Sequence, residues 1–253
     1  MAMLRVQQDH GIHIVTLDRP PVNALSGDML AAIRDALERA ETSGASAVVL
    51  TGREGMFSAG LDLIELMTLD RAGLEQFLGS FFDLMRELAA APMPVVAAIS
   101  GHCPAGGTVL SLFCDLRIMA AGEFGIGLNE VRVGIPMPWV VVDLAVRSLG
   151  PRGAERALVA GRLYDPAAAV TVGLVDEVVA PAEVVSRAVT RARELVGAPS
   201  FALAVTRDRL RSDLRDLVDR HREADVAWLA DVWFTDEVQA PLGEAVRRLS
   251  VRD

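Results

Sequence analysis

The stretch "PVVAAISGHCPAGG", residues 94–107, decides the fold of this chain. Its first half is an apolar run of strand length, and its second half is a turn rich in Gly, Pro and Ala. The stretch "SAVVLTG", residues 46–52, has the same apolar character. A run that is apolar at every position is typical of a strand buried on both faces. Two such strands, separated by a helical pattern at about 71–89, favour a layered α/β arrangement.

The alternation continues on both sides of these strands. Near the N-terminus, "LRVQ" and "IHIVTL" indicate an antiparallel hairpin. Ser26 is suited to cap a helix over 26–42, because apolar residues recur there at helical spacing. "DLRIMA", residues 115–120, predicts one more strand, and the chain from Pro138 onward is mostly of helical pattern. The sequence therefore predicts an α/β core followed by a helical region.

Composition excludes several classes of function. The chain has 253 residues and a net charge of −9, which disfavours nucleic acid and anionic membranes as partners. Its two cysteines lie in no Cys-x-x-Cys or Cys/His cluster, so neither a disulfide framework nor a zinc site is expected. Residues 89–114 lack Asp, Glu, Lys and Arg, but Pro and Gly interrupt them too often for a membrane span. We expect a cytoplasmic protein without an export signal.

Two glycine-containing loops are candidates for binding an anionic oxygen. "MFSAGLDL", residues 56–63, and "CPAGG", residues 103–107, each follow a predicted buried strand and end where a helix begins. Backbone N–H groups at a helix start are unpaired, and glycine lets a ligand approach them closely. Two such donors that converge would form an oxyanion hole. Alternatively, these glycines only shape turns.

The stretch "GIGLNEVRVGI", residues 125–135, places the carboxylate of Glu130 in apolar surroundings. Such a group is costly unless it is paired or used in proton chemistry. An ion pair with Arg132, two residues further along a strand, is the structural alternative. If Glu130 is instead a general base, we expect its pKa to be raised by its apolar neighbours Ile126, Leu128, Val131 and Val133.

A Cys/His nucleophile is a weaker alternative. His102 and Cys103 adjoin the second glycine loop, but neighbours along a backbone do not ordinarily face each other. No residue pattern suggests a metal site.

Six segments together resemble the enoyl-CoA hydratase/isomerase (crotonase) superfamily over nearly the whole chain. In order, they are "LDRPPVNALS", "VVLTGREGMFSAGLDL", "PVVAAISGHCPAGG", "CDLRIMA", "VRVGIP" and "GAERALVAGRLYDPAAAVTVGLVDEVV". "PPVNALS", "FSAGLDL", "SGHCPAGG" and "IGLNE" look most like the mitochondrial-type Δ3,Δ2-enoyl-CoA isomerases. The resemblance implies a crotonase-type spiral of ββα units over residues 1–190. It also implies a helical C-terminal oligomerisation region over 191–253, in a homotrimer or a dimer of trimers.

The resemblance also implies a binding site. It makes the backbone N–H groups of Leu61 and Gly106 the pair that binds a thioester carbonyl oxygen. The segment that lines the CoA side of the site would consist of Ala59, Gly60, Leu61, Asp62 and Leu63. Arg19 lies in a motif whose basic residue approaches CoA phosphate in relatives, although a surface arginine after a strand needs no such role.

The acid/base positions separate two reactions within this family. Hydratases carry two Glu, and here Val109 occupies the first position, while Glu130 occupies the second, after Asn129 in place of the usual Pro. One carboxylate suffices to move a double bond, so the resemblance implies a Δ3,Δ2-enoyl-CoA isomerase that feeds unsaturated acyl chains into β-oxidation. A hydratase or related acyl-CoA enzyme, and a non-catalytic acyl-CoA-binding subunit, are the alternatives. CoA would be part of the substrate, with no other cofactor and no metal.

Overall fold

The computed structural model describes residues 3–250, and the side chains of residues 3–248. Within this range the strands form two sheets. The larger sheet has six strands in the order β1–β2–β3–β5–β7–β9, and the smaller has the order β4–β6–β8. Only the β1–β2 pair is antiparallel. The strands are β1 Leu4–Asp9, β2 Ile12–Leu17, β3 Ala47–Thr51, β4 Gly55–Met56, β5 Val95–Ile99, β6 Gly101–Pro104, β7 Leu116–Ala120, β8 Ile126–Gly127 and β9 Glu177–Val179.

The helices cover both faces of the larger sheet and make up the C-terminal part of the chain. They are α1 Gly27–Thr42, α2 Leu63–Leu66, α3 Arg71–Ala90, α4 Gly106–Leu112, α5 Trp139–Ala160, α6 Pro166–Val172, α7 Val184–Val196, α8 Ser200–Trp233 and α9 Asp236–Ser250. Short 3-10 helices span Glu130–Val133 and Pro181–Glu183. Helix α5 is interrupted at Gly150, whose φ is +69°. Across residues 3–250, none of the helices is long and apolar enough to cross a membrane.

The predicted spiral of ββα units is confirmed. Beginning with β3, three successive units each place one strand in the larger sheet and the next in the smaller sheet, followed by a helix. The hairpin, the helix capped by Ser26 and the three further predicted strands are confirmed as well, and these three strands are parallel. The spiral brings the C-terminal ends of successive strands together, and this edge of the sheet carries the glycine loops.

The all-apolar strands are buried on two different sides. Val48 and Leu50 of β3 face the large core shared with α1 and α3. Ala47 and Val49 of the same strand face a smaller core that α7 supplies. This arrangement explains why β3 shows no alternation of apolar and polar residues, since a parallel strand has no solvated face.

The long helix α8 packs against α3 and α5 rather than extending away from the core. Asp225, which is 2% exposed, joins it to α5: its carboxylate accepts hydrogen bonds from the backbone N–H groups of Trp139 (3.0 Å) and Val140 (2.7 Å). These are unpaired donors of the first turn of α5, so the carboxylate caps that helix. The division at residue 190 and the role of 191–253 in oligomerisation stay predictions.

Candidate active site

Two loops meet at the sheet edge, and glycines allow the contact. Gly60 has a φ of +89°, and a Cβ atom there would lie 2.8 Å from the backbone nitrogen of Gly106. A Cβ atom on Gly106 would in turn lie 3.2 Å from the backbone nitrogen of Leu61. Side chains would not fit without displacing the backbone. The backbone nitrogens of Leu61 and Gly106 therefore lie close together, and their role as a pair of donors stays a prediction.

The N–H group of Leu61 is oriented by its two neighbours. Leu25 donates to the carbonyl of Gly60 (2.8 Å) and accepts from the N–H of Asp62 (3.1 Å). Successive N–H groups of an extended chain point to opposite sides, so the N–H of Leu61 points away from Leu25 and out of this parallel bridge. Within residues 3–250, the Leu61 N–H has no hydrogen-bond acceptor.

The N–H group of Gly106 begins helix α4. The preceding residue, Ala105, has φ +51° and ψ −126°, a conformation that costs a residue with a Cβ atom of the order of 1–3 kcal/mol. Its own N–H donates to the carbonyl of Gly127 at 2.8 Å. In the described part of the chain, the Gly106 N–H is likewise without an acceptor. The strained turn sets the direction of this donor.

Asn23 holds the first loop in place, and the sequence analysis missed it. This fully buried residue donates from Nδ2 to the carbonyls of Met56 (3.2 Å) and Phe57 (3.0 Å). Its backbone carbonyl accepts from the hydroxyl of Ser58 at 2.8 Å. Its φ is +50°, which asparagine tolerates better than most residues. An asparagine within the tight turn "PPVNALS" was the signal available in the sequence.

Asp62 is occupied by structural contacts. Its carboxylate accepts from the N–H of Glu65 (3.1 Å), which caps α2, and pairs with the guanidinium of Arg19 (2.7 Å). Arg19 also donates to the carbonyl of Ala24 at 3.2 Å. These contacts tie the first loop to the N-terminal segment. A contact of Arg19 with CoA phosphate stays a prediction.

Glu130 lies in the 3-10 helix Glu130–Val133 and lines the same cavity as Leu61 and Gly106. The residue as a whole is partly exposed, but its Oε2 atom is buried and has no partner among the described residues. Burial raises its pKa from 4.5 to about 7, while a hydrogen bond from its own backbone N–H lowers the pKa somewhat. The predicted direction of the shift is confirmed. Half of these carboxylates are charged near neutral pH, which suits a general base.

The alternative that pairs Glu130 with Arg132 is wrong. The segment is a 3-10 helix instead of a strand, so residues two apart do not share a side. Arg132 points elsewhere and donates from Nε to the carbonyl of Ala160 at 2.7 Å. Val131 is 44% exposed, and it therefore does not desolvate the carboxylate as predicted.

The carboxylate and the two loops share one apolar cavity of about 90 Å³. Of the predicted site residues, Ala59, Leu61, Leu63, Gly106 and Glu130 line it, and Gly60 and Asp62 do not. Val109 also lines it. The other lining residues come from α2, α3, α5, α8 and the connecting loops, and are Leu66, Leu78, Phe81, Ala105, Val133, Ile135, Met137, Pro138, Val141, Leu229 and Trp233. Among the described lining residues, Glu130 alone has an ionisable side chain.

The Cys/His pair does not form a nucleophile. His102 is exposed, and its Nδ1 accepts from the backbone N–H of Gly125 at 3.1 Å. Cys103 is fully buried, and burial raises the pKa of its thiol far above the usual range. Between residues 3 and 248, no group of three or more His, Cys, Asp or Glu is arranged to hold a metal ion.

Comparison with known proteins agrees with this geometry. A family model described as "Enoyl-CoA hydratase/isomerase" matches residues 7–248. The chain belongs to the enoyl-CoA hydratase/isomerase family. Its members similar to this chain include the mouse mitochondrial enoyl-CoA delta isomerase 1, which is 36% identical over 242 residues, covering 94% of this chain and 84% of that one. A putative enoyl-CoA hydratase of Thermus thermophilus is 34% identical over 212 residues, covering 82% and 83% of the two chains.

The fold of the family is shared over the full length. The crystal structure of human mitochondrial delta3-delta2-enoyl-CoA isomerase superposes with a TM-score of 0.95 at 34% identity, covering 100% of both chains. The resemblance to mitochondrial-type isomerases, based on four short motifs, is thereby confirmed as a likeness of both sequence and structure.

Proposed function

We propose that this protein is a Δ3,Δ2-enoyl-CoA isomerase, which converts a 3-enoyl-CoA thioester into the 2-trans isomer. The observation that carries the proposal is a single unpaired carboxylate, Glu130, in the same apolar cavity as the loops that present the N–H groups of Leu61 and Gly106. The names of the mouse and human relatives agree with this activity.

In the proposed reaction, the carboxylate of Glu130 removes a proton from C2 of the acyl chain. The electron pair of the broken C–H bond forms a C1–C2 double bond and places negative charge on the thioester oxygen. The N–H groups of Leu61 and Gly106 stabilise this oxygen, and each such donor is worth roughly 2.7–4 kcal/mol. The protonated Glu130 then returns the proton to C4, the double bond shifts to C2–C3, and the carbonyl is restored.

The environment of Glu130 supports both halves of this cycle. A carboxyl with a pKa of about 7 accepts and releases a proton with similar ease at neutral pH. Hydration would need a second group to position and ionise water. At the sequence position of that second group, this chain has Val109, which lines the cavity, is 1% exposed and offers neither a lone pair nor a proton. An apolar wall also keeps water away from the dienolate.

The purified protein tests this proposal with two substrates. We expect 3-trans-enoyl-CoA to gain the absorbance of a conjugated thioester, and we expect 2-trans-enoyl-CoA to lose little of that absorbance through hydration. Rapid hydration with weak isomerisation would identify a hydratase instead. Binding of both thioesters without turnover would identify a non-catalytic acyl-CoA-binding subunit.

We propose a homotrimer or a dimer of trimers as the assembly. Val159, Phe201 and Leu210 on α5 and α8 are 76%, 81% and 67% exposed, and contact with a second copy of the chain would remove their apolar surface from water. Light scattering after size exclusion would give three or six times the chain mass, whereas a monomer mass would contradict the proposal.

Location and cofactor use are further parts of the proposal. We propose a reducing compartment, with the cytoplasm as our choice, because Cys103 and Cys114 are both free and buried. The mouse and human relatives are named mitochondrial. CoA enters as part of the thioester substrate, and the proposed proton transfer calls for no other cofactor.

A further inference from the structure

We propose that a second cleft, at the opposite edge of the larger sheet from the glycine loops, binds an organic monoanion: a carboxylate that carries an apolar chain. Residues of α5, α7 and α8 and the starts of β5 and β7 line this cleft, which has a volume of about 440 Å³. Sites for small molecules typically have volumes of about 300–1,000 Å³. The inference goes beyond the proposed function and does not depend on it.

The cleft is separate from the candidate active site. Pro94 and Asp115 line it, and they directly precede β5 and β7. The glycine loops and Glu130 follow the other ends of these strands. Each strand has 5 residues, and at about 3.3 Å per residue it spans about 16 Å. A ligand in the cleft therefore does not displace a thioester from the cavity beside Glu130.

The cleft carries excess positive charge at its buried end. Among its described lining residues, Asp115 is the one acid. Its carboxylate accepts hydrogen bonds from Arg207 at 2.7 and 2.8 Å and pairs with Arg211 at 3.3 Å. One negative charge thus serves two guanidinium groups whose side chains are only 10% and 8% exposed. A buried charge without its own partner is costly, so this end of the cleft favours a further anion.

The pKa of Arg211 agrees with this imbalance. Burial lowers that pKa, Asp115 opposes the effect, and the nearby charge of Arg207 lowers the pKa further. A bound carboxylate would oppose both unfavourable effects by adding negative charge beside the two guanidinium groups.

The outer part of the cleft offers free donors. Arg147 uses Nε and Nη2 to bind Asp213 and the carbonyl of Leu210, whereas its Nη1 has no acceptor among residues 3–248. The hydroxyls of Ser148 and Thr206 also belong to the lining and have no hydrogen-bond partner in that range. Guanidinium groups form strong charge-assisted hydrogen bonds with carboxylates. The cleft therefore has donors that its own acids leave unused.

The remaining walls favour an organic anion over an inorganic one. Apolar side chains make up much of the lining, and they are Pro94, Leu112, Leu116, Leu195, Leu203 and Leu210. An apolar chain would remove them from water, and each methylene so buried should improve binding by up to about fourfold. A single charge is expected, because the fourth lining arginine, Arg117, is already paired with Asp176 at 3.1 Å, as Arg147 is with Asp213.

The test measures the binding of octanoate by isothermal titration calorimetry. Thr206→Glu adds a carboxylate to the lining, and Ala204→Glu adds one to an exposed position of the same helix outside the lining, as the matched control. We expect the parent to bind octanoate about tenfold or more tightly than 1-octanol, which lacks the charge. We expect Thr206→Glu to weaken octanoate binding about tenfold or more, and Ala204→Glu to weaken it less than about twofold.

The outcomes separate the cleft from the other possible sites. No binding of octanoate, or equal affinity for 1-octanol, would overturn the proposal. Inorganic phosphate that binds as tightly as octanoate would also overturn it, since the apolar walls would then contribute nothing. Unchanged affinity in Thr206→Glu would place octanoate elsewhere, such as beside Glu130. The expected ratios in a protein that fails to isomerise 3-enoyl-CoA would refute the proposed reaction and support the cleft.

Discussion

We expect the charge state of Glu130 to control both activity and stability, with opposite dependence on pH. With a pKa of about 7, the fraction of ionised base falls about tenfold per pH unit in acid. We expect kcat/KM to be about a tenth of its plateau at pH 6 and about a hundredth at pH 5. Glu130→Gln should lower the plateau by about 10²–10⁴-fold, the range for a positioned general base.

Stability provides the second readout. Because the folded state raises the pKa of Glu130, the protonated form is favoured by folding, and this contribution is present below pH 4.5 and lost as pH rises through about 7. The rise from 4.5 to about 7 corresponds to about 3 kcal/mol of penalty on the charged form. Glu130→Gln removes that penalty. The variant should be more stable than the parent at pH 8 and similar to it at pH 4, in urea unfolding.

Glu123→Gln is the control, because this exposed carboxylate lies in the neighbouring loop outside the cavity. This substitution should change neither the pH profile of kcat/KM nor the pH dependence of the free energy of unfolding. A flat kcat/KM between pH 5 and 8, or more than a tenth of the activity left in Glu130→Gln, would refute Glu130 as the base. Equal stability of parent and variant at pH 8 would refute the desolvation of its carboxylate.

Three further predictions concern the loops and the buried thiols. Gly60→Ala should lower kcat about 10²–10³-fold by displacing an oxyanion donor, because its Cβ would lie 2.8 Å from a backbone nitrogen. Gly44 has a similar φ of +71° but open space around it, so Gly44→Ala should retain activity. An equal loss of activity in the two variants would refute the role of the close approach between Gly60 and Gly106. Asn23→Ala should lower the free energy of unfolding by about 2–4 kcal/mol, since two buried carbonyls lose their donor, and a loss below 1 kcal/mol would contradict this. Cys103 and Cys114 should resist alkylation in the native protein at pH 8 and react in urea, because burial raises the pKa of both thiols; fast native alkylation would contradict their burial.

Much of the site was readable from local sequence. The glycine loops, the lone carboxylate after Asn129 and the valine at position 109 are short-range features, although the residues alone left alternatives for the loops and for the carboxylate. A glycine allows close approach of two backbones, and an acid among apolar residues acquires a raised pKa. The error over Arg132 arose because a four-residue segment does not distinguish a strand from a 3-10 helix.

The sequence by itself determined the alternation of buried strands and helices, because runs such as "VVAAI" are buried on both faces. The ββα spiral was implied by the family resemblance. It also indicated which groups we propose for the chemistry, since the directions of the two N–H groups and the burial of the carboxylate are set by local structure. Tertiary structure decided which distant helices line the cavity. Trp233 lies more than a hundred residues beyond Glu130 on a helix whose periodicity indicates only that one face is buried. Which surface α8 covers is realised in long-range contacts with α3 and α5, such as the capping of α5 by Asp225 across 86 positions. Long-range pairing of this kind leaves no local periodic signal, because its energy is realised only when the helices dock.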